Sequence, residues 1–215
     1  MIPMLGHLPP GFFVRLLSGM AVNFQIAALA LAAGIALGAP LAFARLAGGV
    51  MAALASLVVA LMRAAPTFVV MFFLLNIIPS DMRWFGVRIS LSGVMIVALS
   101  LVPYSAYYVA DNGAEALRQW RTGSPLAALL FLPNLARAFF VLVMASSAGA
   151  AIGVTEGIAV IVSQAERLAS VADRMELFAI GVLFFAVTLQ GGFAAVGLLR
   201  HRLGHFALRR APVSP

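Results

Sequence analysis

The sequence contains no cysteine and no lysine, and its histidines number only three. Disulfides, cysteine-ligated metals and thiol catalysis are therefore excluded, and every basic side chain is an arginine. The phosphate-binding loop that ends in Lys-Ser or Lys-Thr cannot be present, so ATP hydrolysis by this chain is not predicted. The three histidines, His7, His201 and His205, lie near the chain ends. We therefore expect no serine–histidine dyad within the bilayer and no metal centre built from several histidines. The positions of the histidines do not indicate an enzyme.

Charge is also scarce, because charged residues make up 10% of the chain and hydrophobic residues 63%. Soluble domains contain about 45–50% apolar residues, and the mean hydropathy of this chain is +1.07. Lipid is therefore the expected surrounding medium. The formal net charge of +7 does not indicate nucleic-acid binding, because the arginines stand at the ends of apolar runs rather than on one solvated face.

Intervals without charge predict the membrane spans, since one charge at mid-bilayer costs about 2.5–3.5 kcal/mol on the mildest scale. About 20 apolar residues cross the hydrocarbon core. We predict an all-α integral membrane protein, with residues 1–215 forming a single transmembrane domain. The five predicted spans are residues 19–43, 51–78, 89–110, 135–162 and 177–199.

Two of these spans carry helix-breaking residues. Pro66 lies inside span two, where it removes a backbone donor and kinks the helix. Span four ends through Gly149, Gly153 and Gly157, so its last turns are predicted to be bent or broken. Irregular backbone at membrane depth is tolerated where it is packed in protein or lines a cavity. Both places are therefore candidates for lining a pathway.

The arginines also predict the orientation, because inside loops carry an excess of basic residues. With the amino terminus outside, eight arginines lie in inside segments and five in outside segments. We therefore predict that the amino terminus is outside and the carboxyl terminus cytoplasmic. The inside set is Arg45, Arg118, Arg121, Arg137, Arg200, Arg202, Arg209 and Arg210, and the outside set is Arg15, Arg83, Arg88, Arg167 and Arg174.

Arg63 is the charge that stands deepest in an apolar run, beside Pro66. A charge inside a span indicates a functional site, and a planar guanidinium suits a carboxylate. A second interpretation is that span two consists of two shorter segments, with Arg63 extended to the interface between them. Glu156 is the candidate counter-charge, unless it faces water at the outer end of span four.

Uncharged polar residues also lie at predicted membrane depth. Asn23 is in span one, and Ser146 and Ser147 are in span four. Such residues commonly form hydrogen bonds to neighbouring helices. Only a grouping with Arg63 would turn them into a binding site.

The order of these motifs resembles the inner-membrane permeases of the polar amino acid ABC importers, the histidine/glutamate/glutamine/arginine/opine group. The resemblance runs from about Gly19 to Arg202. Residues 63–67, Arg-Ala-Ala-Pro-Thr, stand where the family has Arg-Gly-Thr-Pro before an apolar aromatic run. Residues 151–156, Ala-Ile-Gly-Val-Thr-Glu, are similar to the family's Val-Ile-Gly-Val-Pro-Glu. The family's Lys-Asp-Thr-Ser-Leu has lost both charges at residues 144–148, which argues against a strict arginine or lysine importer.

The family's cytoplasmic loop, which docks on the ATPase, contains Glu-Ala-Ala, then a glycine, then Leu-Pro. Here the corresponding segment is residues 111–133, between spans three and four, and a short coupling helix is predicted over residues 114–121. The spacing after the glycine is shorter than in the family. The matching residues are Glu115, Ala116, Gly123, Leu132 and Pro133.

The resemblance implies the fold and role of a type I ABC importer permease, which moves a polar amino acid across the bacterial inner membrane. It implies a separate ATPase subunit that binds ATP, a second permease subunit of the same or another kind, and an extracytoplasmic amino-acid-binding protein. No metal or other cofactor is implied, and membrane lipid surrounds the chain. Arg63 would meet the substrate carboxylate, with polar contacts from Asn23, Ser146, Ser147 and Glu156.

Two alternatives remain open at the level of the sequence. A secondary transporter without an ATPase would carry inverted repeats, which the sequence does not display. A degenerate structural permease subunit, paired with an active paralogue, is suggested by the shortened coupling segment.

Overall fold

The computed structural model describes residues 8–78, 83–84, 87–88, 91–124 and 131–208. These residues form seven α-helices, one 3-10 helix and one antiparallel strand pair, in which Arg83 is opposite Arg88. In chain order the elements are α1 (Phe12–Leu46), α2 (Gly49–Ala64), α3 (Thr67–Ile77), β1 (Arg83–Trp84), β2 (Val87–Arg88), α4 (Gly93–Arg121), α5 (Phe131–Ala145), the 3-10 helix (Ser146–Ile152), α6 (Gly157–Ala165) and α7 (Val171–Leu208).

Four helical stretches are long and apolar enough to cross a membrane. α2 and α3 together make a fifth if the pair crosses as one span. The predicted all-helical class with about five spans is thereby confirmed. α1 and α7 extend several residues beyond the predicted bounds. The four stretches are Phe12–Leu46, Gly93–Arg121, Phe131–Ile152 and Val171–Leu198.

Span two, predicted over residues 51–78 with a kink at Pro66, consists of two shorter helices, as the second interpretation of this span had it. α2 ends at Ala64 and α3 begins at Thr67, and the two axes differ by 92°. Ala65 and Pro66 between them are extended, with ψ angles of 113° and 123°. Proline disfavours helical backbone at the residue before it, so Ala65 cannot continue α2. Arg63 consequently lies in the last turn of a short helix.

α1 and α4 approach each other closely along much of their length. Ser105 of α4 donates its hydroxyl to the Ala30 carbonyl at 2.7 Å, and Gly113 lies against Ala42 further along both helices, so the two run parallel. A Cβ added at Gly34 would lie 2.2 Å from the Ser105 hydroxyl oxygen. Small residues therefore permit this contact, as they do at many membrane helix interfaces.

α4 continues to Arg121, eleven residues past the predicted end of span three at residue 110. The predicted helix over residues 114–121 exists but is continuous with α4, because nothing in that stretch interrupts the helix. The helix ends at Thr122, and Gly123 adopts a φ of +82° while the Ser124 amide donates to the Gln119 carbonyl at 2.9 Å. Such a left-handed glycine is a common helix terminator. Residues 125–130 of the predicted coupling segment lie outside the described residues.

Span four breaks as predicted. α5 passes into the 3-10 helix, the chain turns at Gly153 with a φ of +82°, and α6 begins at Gly157. Gly157 has no space for a side chain, since an added Cβ would lie 2.6 Å from the Phe185 ring. The break therefore lies packed against α7 and leaves the helix start at Gly157 facing the bundle interior.

Candidate functional site

Glu156 is the N-cap of α6, and its carboxylate accepts hydrogen bonds from the backbone amides of that helix. The Ile158 and Ala159 amides donate to its two oxygens, each at 2.9 Å. A side-chain oxygen in this position satisfies amide groups that have no partner within the helix. Glu156 is 0% exposed, so the alternative that it faces water is wrong.

Asn23 of α1 joins this cap to the start of the 3-10 helix. Its side-chain amide donates to a Glu156 oxygen and to the Ser146 hydroxyl, both at 2.9 Å, and its carbonyl oxygen accepts from the Gly157 amide at 3.0 Å. The Ser147 hydroxyl oxygen is 3.5 Å from the same amide nitrogen. We call Asn23, Ser146, Ser147 and Glu156, with the Gly157 amide, the polar cluster.

The polar cluster is closed in this conformation. The Ser146 hydroxyl donates to the Val143 carbonyl at 2.7 Å, and no buried side-chain nitrogen or oxygen of the described residues lacks a partner. A Cβ added at Gly19 would lie 2.9 Å from the Gly157 nitrogen, so α1 contacts the break directly. The cluster holds the broken span to α1, and a ligand could enter it only by replacing one of these hydrogen bonds.

Arg63, the fifth predicted pathway residue, is not part of the polar cluster. Its guanidinium pairs with the Asp111 carboxylate and lies over the Tyr107 ring, 5.5 Å from the centroid. Arg45 of α1 pairs with the other Asp111 oxygen at 2.6 Å. Glu156 as the counter-charge of Arg63 is therefore wrong, and Asp111 has that position. We call Arg45, Arg63 and Asp111 the ionic triad.

Sequence reasoning placed Asp111 just beyond span three and so missed its pairing. The sequence has no clear signal for this continuation, because residues 111–113 are Asp-Asn-Gly, which is typical of a turn, yet α4 passes through them. Asn112, the next residue, accepts a hydrogen bond from Asn134 of α5 at 3.0 Å. This part of α4 therefore connects α1, α2 and α5 by polar contacts.

The five predicted coupling residues surround one end of the helices. Glu115 is half-exposed and bonds within α4 to Gln119 at 3.0 Å and to Arg118 at 3.5 Å. Ala116 and Leu132 line an apolar groove of about 400 Å³ that also contains Phe43, Trp120 and Phe131. Pro133 is buried at the start of α5, and Gly123 terminates α4.

Metal ligands do not gather in the part of the chain that the structure describes. No group of three or more histidine, cysteine, aspartate or glutamate side chains there could hold a metal ion. The candidate chemistry of the site is therefore hydrogen bonding and ion pairing.

No protein-family model matches the chain, and no curated protein matches it. A solved structure does: a chain of the crystal structure of an amino acid ABC transporter with histidines. The two share 19% of their residues, with a TM-score of 0.64 over 89% of this chain and 95% of that chain. This chain therefore has the fold of an ABC transporter membrane subunit, adopted over almost the whole length of both chains.

Proposed function

We propose that the chain is the permease subunit of a type I ABC importer that carries a polar amino acid across the inner membrane. The observation that carries this proposal is the superposition on an amino acid ABC transporter over 89% of this chain. Irregular backbone at membrane depth is tolerated where it is packed in protein or lines a cavity, and the two broken spans are compatible with a pathway through the subunit.

The pathway residues have two different roles in this proposal. The polar cluster fixes the break in span four, and a substrate would replace its hydrogen bonds one at a time as the subunit changes conformation. Arg63 is 56% exposed, and the ionic triad sets two arginines against one carboxylate. The excess positive charge favours the approach of a carboxylate, which can compete with Asp111 for Arg63.

The ATPase subunit would bind at the end of the helices that carries Arg45, Arg118 and Arg121. Glu115 is exposed at that end and the apolar groove lies beside it, so a partner can form an ion pair with Glu115 and insert an apolar side chain into the groove. A second permease subunit and an extracytoplasmic amino-acid-binding protein complete the proposed importer. Hydrolysis of ATP is assigned to the partner, since this chain has no lysine for a phosphate loop.

Coupling is tested by purifying the tagged chain from its own host membranes and measuring the ATP hydrolysis that co-purifies. We expect wild-type preparations to contain a nucleotide-binding subunit, and Glu115→Arg to lose it. Glu166→Arg is the matched control, because it reverses the charge of another exposed glutamate after α6. A preparation of wild-type chain with no associated ATPase would contradict the proposal, and equal loss in both variants would contradict the role of Glu115.

A further inference from the structure

A second polar site lies between α5 and α7, outside both the polar cluster and the ionic triad. A cavity of about 390 Å³ opens there, lined on the α5 side by Asn134 and Arg137 and on the α7 side by Gln190, Phe193 and Val196. Ligand pockets in proteins measure about 300–1,000 Å³. The cavity is therefore large enough for a small organic molecule.

Arg137 is an arginine inside a membrane-spanning stretch. It lies six residues into Phe131–Ile152, and Phe140, one turn further on, packs its ring against Phe24 and Phe193. The arginine count places Arg137 in the inside set, two residues into predicted span four. A guanidinium remains charged in any protein environment, and a charge in a span is retained where it has a function.

No protein anion balances this charge within the described part of the chain. The ion pairs among the described residues involve Arg45, Arg63 and Arg118. Arg174, another arginine in an apolar stretch, donates to the Leu168 carbonyl at 2.8 Å, whereas Arg137 lines the cavity between α5 and α7. An exposed guanidinium that faces a cavity is thus left to pair with an anion from outside the chain.

The polar neighbours of Arg137 suit the rest of an amino acid. Gln190 forms no hydrogen bond within the described residues, and Asn134 uses its amide nitrogen on Asn112 at 3.0 Å, which leaves its carbonyl oxygen as an acceptor. Two amide oxygens can accept hydrogen bonds from an ammonium group, while the guanidinium binds a carboxylate through two parallel bonds. The described lining contains no carboxylate, so a side chain with a further positive charge would find no partner.

We propose that Arg137, Gln190 and Asn134 form a binding site for the carboxylate and ammonium groups of a zwitterionic or anionic amino acid in the α5–α7 cavity. The amino acid as ligand rests on the proposed function, whereas the anion site itself rests on the unpaired Arg137. A substrate bound at this site would contact a charged side chain at a place separate from the polar cluster.

The absence of cysteine from the natural chain permits a direct test by thiol labelling in membrane vesicles from cells that express the chain. Val196→Cys places a thiol in the cavity without removing a proposed binding residue, and Val187→Cys places one on the 65% exposed face of the same helix as control. Sulfonatoethyl methanethiosulfonate is the anionic reagent and its trimethylammonium analogue the cationic one. A positively charged cavity raises the rate with the anionic reagent by about tenfold over the cationic one at Val196→Cys alone.

Arg137 is tested in the same background. Arg137→Gln should abolish the preference for the anionic reagent, and Arg137→Lys should restore it, because lysine keeps the charge. L-Glutamine and L-glutamate should slow labelling of Val196→Cys, whereas L-glutamine amide, which lacks the carboxylate, should not. The same ratio of anionic to cationic rates at Val196→Cys and Val187→Cys, or a preference that Arg137→Gln leaves unchanged, would overturn the anion site.

The other source of an anion is lipid phosphate, and nanodiscs distinguish it. Purified Val196→Cys protein is labelled in phosphatidylcholine alone and with added phosphatidylglycerol. Slowing by phosphatidylglycerol, with no protection by either amino acid, would assign Arg137 to a lipid headgroup and overturn the proposal. Labelling needs no ATP, so ATP-dependent uptake without protection would refute this site and leave the permease function standing.

Discussion

The polar cluster and the ionic triad both connect α1 to later helices, but the first is buried and the second is partly exposed to solvent. In the polar cluster Asn23, Ser146 and Glu156 are 0% exposed and every group is bonded to another. In the ionic triad the side chains of Arg45, Asp111 and Arg63 are 22%, 30% and 56% exposed.

Because of this difference in burial, we expect the polar cluster to contribute to stability and the ionic triad to contribute to charge recognition. A buried donor or acceptor that loses its partner costs about 1–3 kcal/mol, whereas exposed ion pairs contribute about 0–1 kcal/mol. Changes in the polar cluster should therefore lower stability, and changes in the ionic triad should alter transport at nearly unchanged stability.

Asn23→Ala should have the largest effect. It removes the donor to Glu156 and Ser146 and the acceptor for the Gly157 amide, and all three remain buried. Several unsatisfied groups at about 1–3 kcal/mol each predict a loss of about 3 kcal/mol or more. Thermal unfolding in detergent measures it, with the exposed Gln25→Ala as control on the same helix. Equal melting temperatures for both variants would remove the distinction between the two regions.

Glu156→Gln should cost less, about 1–3 kcal/mol, because the shape is kept. Glutamine offers one acceptor oxygen and an NH2 group where the carboxylate accepts from Asn23, Ile158 and Ala159. The NH2 group of glutamine would then face an N–H donor at the start of α6, where no hydrogen bond can form. Glu166→Gln, at an exposed position, should unfold like the wild-type protein. A Glu156→Gln protein as stable as wild type would show that the cap is not needed to hold the break.

Asp111→Asn should cost about 1 kcal/mol or less, since both of its ion pairs are partly exposed. The difference from wild type should shrink further at high salt, which screens exposed charges. Melting temperatures at two ionic strengths check this, with Asn23→Ala as the salt-insensitive comparison. A larger loss for Asp111→Asn than for Asn23→Ala would reverse the order of the two regions.

Arg63→Ala should change stability least and transport most. Its guanidinium is the most exposed group of the ionic triad, so unfolding should shift by less than about 1 kcal/mol. Uptake should be abolished while membrane insertion is retained, because the proposed carboxylate partner is removed. Arg167→Ala, which removes another exposed arginine just after α6, should keep uptake. Unchanged uptake by Arg63→Ala would end the proposed role of that residue.

Hydropathy and single residues were enough to predict the helical class, the number of spans and the break in span four, because each depends on local chemistry. Glycines at 149, 153 and 157 stand next to the break they cause. The contacts between distant elements were not predictable in this way. Asn23 and Ser146 are 123 positions apart in sequence, and their hydrogen bond follows from how α1 packs on the 3-10 helix.

The counter-charge of Arg63 was missed for a different reason. Ending span three before its first charge placed Asp111 in a loop, whereas α4 continues through Asp111, Asn112 and Gly113 to Arg121. The orientation count likewise placed Arg137 with the inside arginines, although predicted span four begins at residue 135. Charges inside helices are the residues for which the rule that charges mark span ends fails.

The most direct measurement of the central claim is uptake of radiolabelled amino acids into membrane vesicles that contain this chain, with and without internal ATP. The account predicts that a polar amino acid accumulates only when ATP is present. Accumulation that is indifferent to ATP, or none for any polar amino acid, would contradict the assignment as an ABC importer permease.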